Sequence, residues 1–312
     1  MKGKAMHDDA QGSLDLSPIS AKIIRLSAEI RTTPPERPEF LHTVLCQVGL
    51  PRRRPSELFF ERRNGKASLL ITAGKMYDGD AWVQQIVPYG TKPRLALFHI
   101  SSEAVRLQSR TIPVGRSLRS FMRRLNLDTN GRSMAAFRQQ MNALCACQMQ
   151  LAYGPRNINA KPVELYDAWT NNGAPGQESV IELSEKFWEE LREAAVPLDS
   201  RALEGLQHSC LALDIYTWLA HRLHRIKRPS GENVTWSNMR SQFGQEYKGR
   251  EADKDFKKSF NVALRQVRQV YPTARIEEVS TGAIRTGFRL LPSPAPIAPT
   301  TTFIDMGRIS CQ

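Results

Sequence analysis

Two basic, helix-periodic stretches, each preceded by a shorter helical segment and followed by strand-like segments, predict an α+β fold of two tandem winged-helix units: helix-turn-helix, then β-hairpin. A small β-rich segment precedes them, and flexible tails flank the whole. The second stretch, residues 253–271, has two chemically opposite faces. Phe256, Phe260, Ala263, Val267 and Val270 recur at helical spacing and form an apolar stripe. Lys254, Lys258, Asn261, Arg265 and Arg268 recur two positions out of step and so project from roughly the opposite side. A basic face alone is most often a solvated surface. Its place after a shorter helix and before a hairpin points instead to a helix that enters a DNA groove.

The chain divides into a tail over residues 1–40, a β-rich segment over 41–92 that packs on the first winged helix, winged-helix units over 93–196 and 197–292, and a proline-rich tail over 293–312. In the first tail, Ser17-Pro18 caps a short helix with Ile19, Ile23, Leu26 and Ile30 on one side, suited to docking on its own chain or on a partner. Residues 41–90 read as strands, and Asn64-Gly65 between two β-prone runs marks a hairpin. This small sheet suits self-association or packing.

The first unit opens with a helix over 93–108, inward at Leu95, Leu97, Ile100, Ala104 and Leu107. A second helix over 112–127 is apolar at Leu118, Phe121, Met122 and Leu125 and basic at Arg116, Arg119, Arg123 and Arg124. After the turn at 128–131, a third helix buries Met134, Phe137, Met141 and Leu144 and leaves Arg138, Gln139, Gln140 and Asn142 outside. Alternating segments follow, with a wing tip at Asn171-Asn172-Gly173 and Pro175-Gly176, and a helix capped by Ser184 closes the unit. The second unit repeats the plan: one long helix over 201–226, a shorter one after Thr235, the basic helix, and a hairpin from 275–278 and 284–290 around a Ser-Thr-Gly turn.

The chain has 312 residues and a formal net charge of +13, which suits a polyanionic partner such as nucleic acid. No apolar run is long enough to cross a bilayer and the first residues lack an apolar leader core, so no membrane is expected and the reading is cytoplasmic. Five scattered cysteines make no disulfide framework. Cys145 and Cys147 lack companions for a zinc site and read as packed thiols. No phosphate-cradling loop of the GxxxxGK[ST] form occurs. Tyr216 near His221 and His224 faintly suggests a metal-dependent DNA-nicking centre, but the histidines fall three apart on an expected helix without a third ligand. The reading is therefore a non-enzymatic chain that needs no cofactor.

The run FFERRNGKASLLITAG, then YGTKPRLAL, EAVRLQSRTIPVGRSLRSFMRRLNL, DIYTWLAHRLHRI and VTWSNMRSQFG, resembles plasmid-encoded replication initiators of the RepA type. The resemblance spans about residues 41–291. It implies two winged-helix domains that bind repeated sites (iterons) in double-stranded plasmid origin DNA, promote origin opening, and recruit a host initiator and the replicative helicase. It also implies a homodimer that represses the initiator's own gene.

If both units lie on one face of a duplex, their recognition helices enter major grooves roughly 34 Å apart. Lys254, Lys257, Lys258 and Arg268 suit phosphate contacts. Asn261 and Arg265 suit base edges. Arg132, Ser133, Gln139 and Gln140 are their counterparts in the first unit, where Arg119, Arg123 and Arg124 hold the backbone. Arg275 and Arg285 flank the second wing, and Arg116, Arg138 and Arg240 complete the DNA-binding set. A transcriptional repressor on the same fold is the alternative reading.

Overall fold

The computed structural model describes residues 17–159, 161–167, 169 and 179–297. Helix α1 (Pro18–Thr32) opens them, and the Ser17 hydroxyl accepts the Ser20 N–H at 3.3 Å as its cap. Strand β1 (Pro38–His42) and helix α2 (Thr43–Gln47) follow. The strand-like reading of 41–90 misses α2, because His42 turns its Nδ1 to accept the Val44 N–H at 3.1 Å and starts a helix there. Strands β2 (Phe59–Asn64) and β3 (Ala67–Thr72) form the hairpin expected at Asn64-Gly65, with Gly65 at φ +56° where a side chain would be strained. Strands β4 (Lys75–Tyr77) and β5 (Trp82–Gln84) form a second, short ribbon.

The first unit runs α3 (Thr91–Leu107), β6 (Thr111–Gly115), α4 (Leu118–Arg124) and α5 (Gly131–Ala146), then β7 (Gln148–Tyr153), β8 (Arg156–Asn159), β9 (Val163–Asp167) and β10 (Ser179–Leu183). After it come α6 (Glu185–Ala194), β11 (Ala195–Asp199) and α7 (Ser200–Leu206). The second unit runs α8 (Cys210–Arg222), β12 (Glu232–Thr235), α9 (Trp236–Phe243), α10 (Ala252–Val270), β13 (Ile276–Thr281) and β14 (Ile284–Leu290).

The two units share one order: helix, strand, helix, helix, and two closing strands. Their sheets are ordered alike, β6-β10-β9 and β12-β14-β13, so in each the strand after the first helix pairs with the last strand. This is the α+β winged-helix topology, present twice. In the first unit a hairpin, β7–β8, is inserted after α5 and joins β2–β3 in a four-stranded sheet ordered β2-β3-β7-β8. Residues 148–153 therefore belong to that shared sheet, and the first wing is β9–β10. Its expected tip at 171–176 lies outside the described residues.

Three boundaries differ from the expected ones. The helix anticipated over 112–127 begins only at Leu118, since Ser117 caps it by accepting the Ser120 N–H at 3.1 Å, and Thr111–Gly115 pairs with β10 instead. The long helix over 201–226 breaks before Ser209, whose hydroxyl accepts the Ala212 N–H at 3.2 Å and starts α8 afresh. The tails are also partly built in. Ile23 and Leu26 of α1 are buried where that helix meets α7 and α10, and Ser27 donates to the Gln269 carbonyl at 2.8 Å. At the other end, Ser293 Oγ accepts the Arg275 N–H at 3.0 Å and Tyr271 donates to the Pro294 carbonyl at 2.7 Å. Residues 298–312 and 1–16 lie outside the described residues.

Candidate nucleic-acid interface

Helix α10 sits on an aromatic platform. Phe256 and Phe260 are buried and pack edge-on against Trp236 of α9, at ring-centroid distances of 6.4 and 5.7 Å. Phe288 of the wing closes the cluster, 5.3 Å from Trp236 and 5.9 Å from Phe260. At Gly287 a Cβ would fall 2.1 Å from the Val234 carbonyl, so glycine lets β12 cross close to β14 beneath this cluster. Burial of the apolar stripe fixes which way the opposite face points.

On that face Lys254, Lys257, Lys258 and Arg265 are exposed. Lys258 and Arg265 have no ion pair among the described residues, whereas Lys254 meets Glu251 at 3.1 Å and Lys257 lies over the Trp236 ring at 5.6 Å. The other candidates of this unit have structural bonds as well. Arg285 of the wing donates to Asn261 Oδ1 at 3.2 Å and to Glu278 at 2.9 Å, which ties α10 to the wing. Arg268 donates to the Ile276 carbonyl where the wing begins. Arg240 meets Asp253 at 2.9 Å and the Tyr247 carbonyl at 2.6 Å, clamping α9 to the start of α10. The Arg275 side chain is exposed at the wing base.

In the first unit, Asn130 caps α5 by accepting the Ser133 N–H at 2.8 Å, and this leaves Arg132 exposed in the first turn beside half-buried Ser133. Arg138 and Gln139 are exposed, with Arg138 donating to the Trp169 carbonyl at 3.2 Å. Gln140 faces inward. It is 5 % exposed and its Oε1 accepts the Tyr89 N–H at 2.8 Å, because it follows Phe137 by three residues and so falls on the same buried side. Arg119 and Arg123 stand exposed on α4 and Arg116 on the loop before it, none with an ion pair among the described residues. Arg124 folds back to the Val114 carbonyl at 2.7 Å.

A second set of charges, absent from the sequence reading, lies between the units. Arg94 of α3 is 4 % exposed and grips Asp214 of α8 through two N–H groups, at 2.8 and 2.9 Å. Arg62 of β2 is 1 % exposed, 3.6 Å from Asp214 and 3.1 Å from Glu246, and Arg52 meets Glu246 at 2.7 Å. Burial lowers the Arg62 pKa to about 10 despite both carboxylates, so it remains a cation at neutral pH. Burial raises Glu246, but Arg52 and Arg62 outweigh it and hold the carboxyl below its usual range. One signal was available: in the alternation of β2, position 62 shares the inward side with Phe60, an unusual place for arginine.

Tyr216 is fully buried, and its hydroxyl accepts the Asp199 N–H at 2.9 Å. Burial raises its pKa far above the ordinary phenol value, the opposite of what a nucleophile needs. His224 spends its Nδ1 on the Ala220 carbonyl at 2.9 Å, and no cluster of three or more metal-ligating side chains exists among the described residues.

Residues 87–238 match the family described as "Plasmid encoded RepA protein". Among solved structures, the chain is similar to RctB domains 2–3, at 10 % identity and a TM-score of 0.49 over 80 % of this chain and 96 % of that one. A selenomethionine form of the same two domains gives a TM-score of 0.47 at 10 % identity, over 80 % and 96 % of the respective chains. No curated protein matches the chain.

Proposed function

For a chain whose residues 87–238 match the plasmid-encoded RepA protein family, we propose a replication initiator that reads duplex origin DNA with two recognition helices, α5 and α10. The observation that carries this is the repetition of one topology with a basic, outward-facing third helix in each copy, in a chain of net charge +13. Repeated origin sites, help in opening the neighbouring duplex, and recruitment of a host initiator and helicase belong to the same proposal.

Side chains divide by their freedom. Arg265 and Lys258 on α10, and Arg132 and Gln139 on α5, are exposed and without an ion pair among the described residues, so they can reach DNA without breaking an internal bond. Arg265, midway along the helix, reads a base edge, with guanine its best partner. Lys258 holds phosphate. Arg119, Arg123 and Arg116 hold the backbone beside α5. Arg240, Arg268, Arg124 and Arg285 act chiefly by fixing the recognition helices and the second wing, through the bonds described above. Asn261 offers its amide N–H groups, since its oxygen is taken by Arg285.

The test contrasts two substitutions on the duplex the protein prefers. Arg265→Ala is expected to cost about 1–3 kcal/mol and to relax preference at one base pair. Lys258→Ala is expected to weaken all sequences alike and to reduce the slope of log affinity against log salt by about one. Equal, sequence-blind losses in both variants would remove base reading from α10.

A further inference from the structure

We infer that the buried charge cluster of Arg52, Arg62, Arg94, Asp214 and Glu246 sets the spacing and relative orientation of the two recognition helices, and with them the half-site separation that one chain accepts. The inference rests on the two-reader function proposed above. Its physical basis is the way the cluster is wired to both units.

Arg94 lies on the first helix of unit one, and Asp214 on the first helix of unit two. All five guanidinium N–H groups of Arg94 are spent: two on the Asp214 carboxylate, the others on the carbonyls of Leu50, Pro51 and Gly90. The loop at 49–52 is pressed against this pair, and a Cβ at Gly49 would fall 2.6 Å from Asp214 Oδ1. Glu246 gives a second attachment, in the turn between α9 and the recognition helix α10. It accepts from the Arg52 backbone N–H at 2.7 Å, from Arg52 Nε at 2.7 Å and from Arg62 at 3.1 Å. Arg62 also donates to the Gly49 and Leu50 carbonyls, at 3.1 and 3.2 Å. Arg62 stands on β2, whose sheet includes β7, the strand that follows the recognition helix α5 directly. The cluster thus connects the chain next to one recognition helix with the chain next to the other.

An apolar contact would hold the units together about as well, because removing a pair of charges from water offsets most of their attraction. What the guanidinium forks add is direction. Two parallel N–H···O bonds fix an angle as well as a distance. A reader of two half-sites needs that, because moving one half-site along B-DNA also rotates it around the helix axis.

The experiment measures affinity for duplexes that carry both half-sites at separations stepped one base pair at a time, and for each half-site alone. Wild-type protein is expected to bind best at one separation. Glu246→Gln and Asp214→Asn should bind each single half-site as wild type does. On the paired sites they should lose about tenfold of the preference for the best separation over its neighbours, equivalent to about 1.4 kcal/mol of coupling. Glu246 is the more accessible of the two acids, so its variant tests the idea even where Asp214→Asn fails to fold. An unchanged, sharp optimum in a folded Glu246→Gln protein overturns the inference while the two-reader function stands. A wild-type profile with no optimum at any separation removes the two-reader function, and the inference with it.

Discussion

Single buried residues set how the protein responds to acid. His42 is fully buried, stacked on Phe187 at 5.5 Å between ring centroids, and its Nε2 has no hydrogen-bond partner among the described residues. Burial, with Arg156 adding to it, lowers its pKa to about 4. Burial also takes His99 to about 4 despite Glu103, and takes His221 to about 3 with help from Arg225, His224 and Arg222. In the unfolded chain each titrates near 6.5. Between that value and about 4 the unfolded state holds more protons, so unfolding becomes easier as pH falls. Glu39, raised by burial, acts in the opposite sense but is one group against four, since burial lowers His224 as well. Urea unfolding followed from pH 7 down to about pH 5 should show a falling midpoint; a flat profile would mean that these imidazoles are protonated in the folded protein.

At the scale of elements, α1 docks on its own chain, the first of the two roles that its apolar spacing suggests. Its Ile23 and Leu26 spacing is visible in the sequence, but the surface that covers them comes from α7 and α10, far along the chain. Docked there, α1 braces α10 from behind through the Ser27 bond to Gln269. Leu26→Ala is expected to cost about 2–5 kcal/mol in unfolding free energy, because it opens a cavity between three helices. Ile19→Ala, at a position 45 % exposed, should stay within about 0.5 kcal/mol. A similar small loss for both would show that α1 is not held in place.

Helices with a long periodic stripe were legible from sequence: α10 begins at Ala252 and ends at Val270, close to the stretch read as 253–271. Hairpins with a turn signature were legible too, as at Asn64-Gly65. The strands β6 and β12 were not. Each is a run of four or five residues that becomes a strand only because a distant partner, β10 or β14, supplies its hydrogen bonds. The candidate site was legible in part. Exposed Arg265, Lys258, Arg132 and Gln139 follow from helical spacing, whereas the inward turn of Gln140 and the internal bonds of Arg240 and Arg268 depend on contacts that spacing does not encode. The charge cluster depends on tertiary contact most of all, since its acids and arginines come together only when both units and the small sheet have folded.

At the scale of the whole molecule, two copies of one topology are joined by a buried, directional set of ion pairs; under the function proposed above, that joins α5 and α10 into one bipartite reader. Each helix alone carries few free cations and would discriminate weakly. On that proposal the pair requires two short sequences at a fixed separation, with rotation around the duplex as selective as the bases themselves. The most direct measurement is selection from a randomised duplex library by the purified chain, with sequencing of what it retains. The account predicts two short motifs in a constant orientation, with centres about one helical turn apart. Recovery of a single unpartnered motif, or of sequences no different from the starting library, would contradict it.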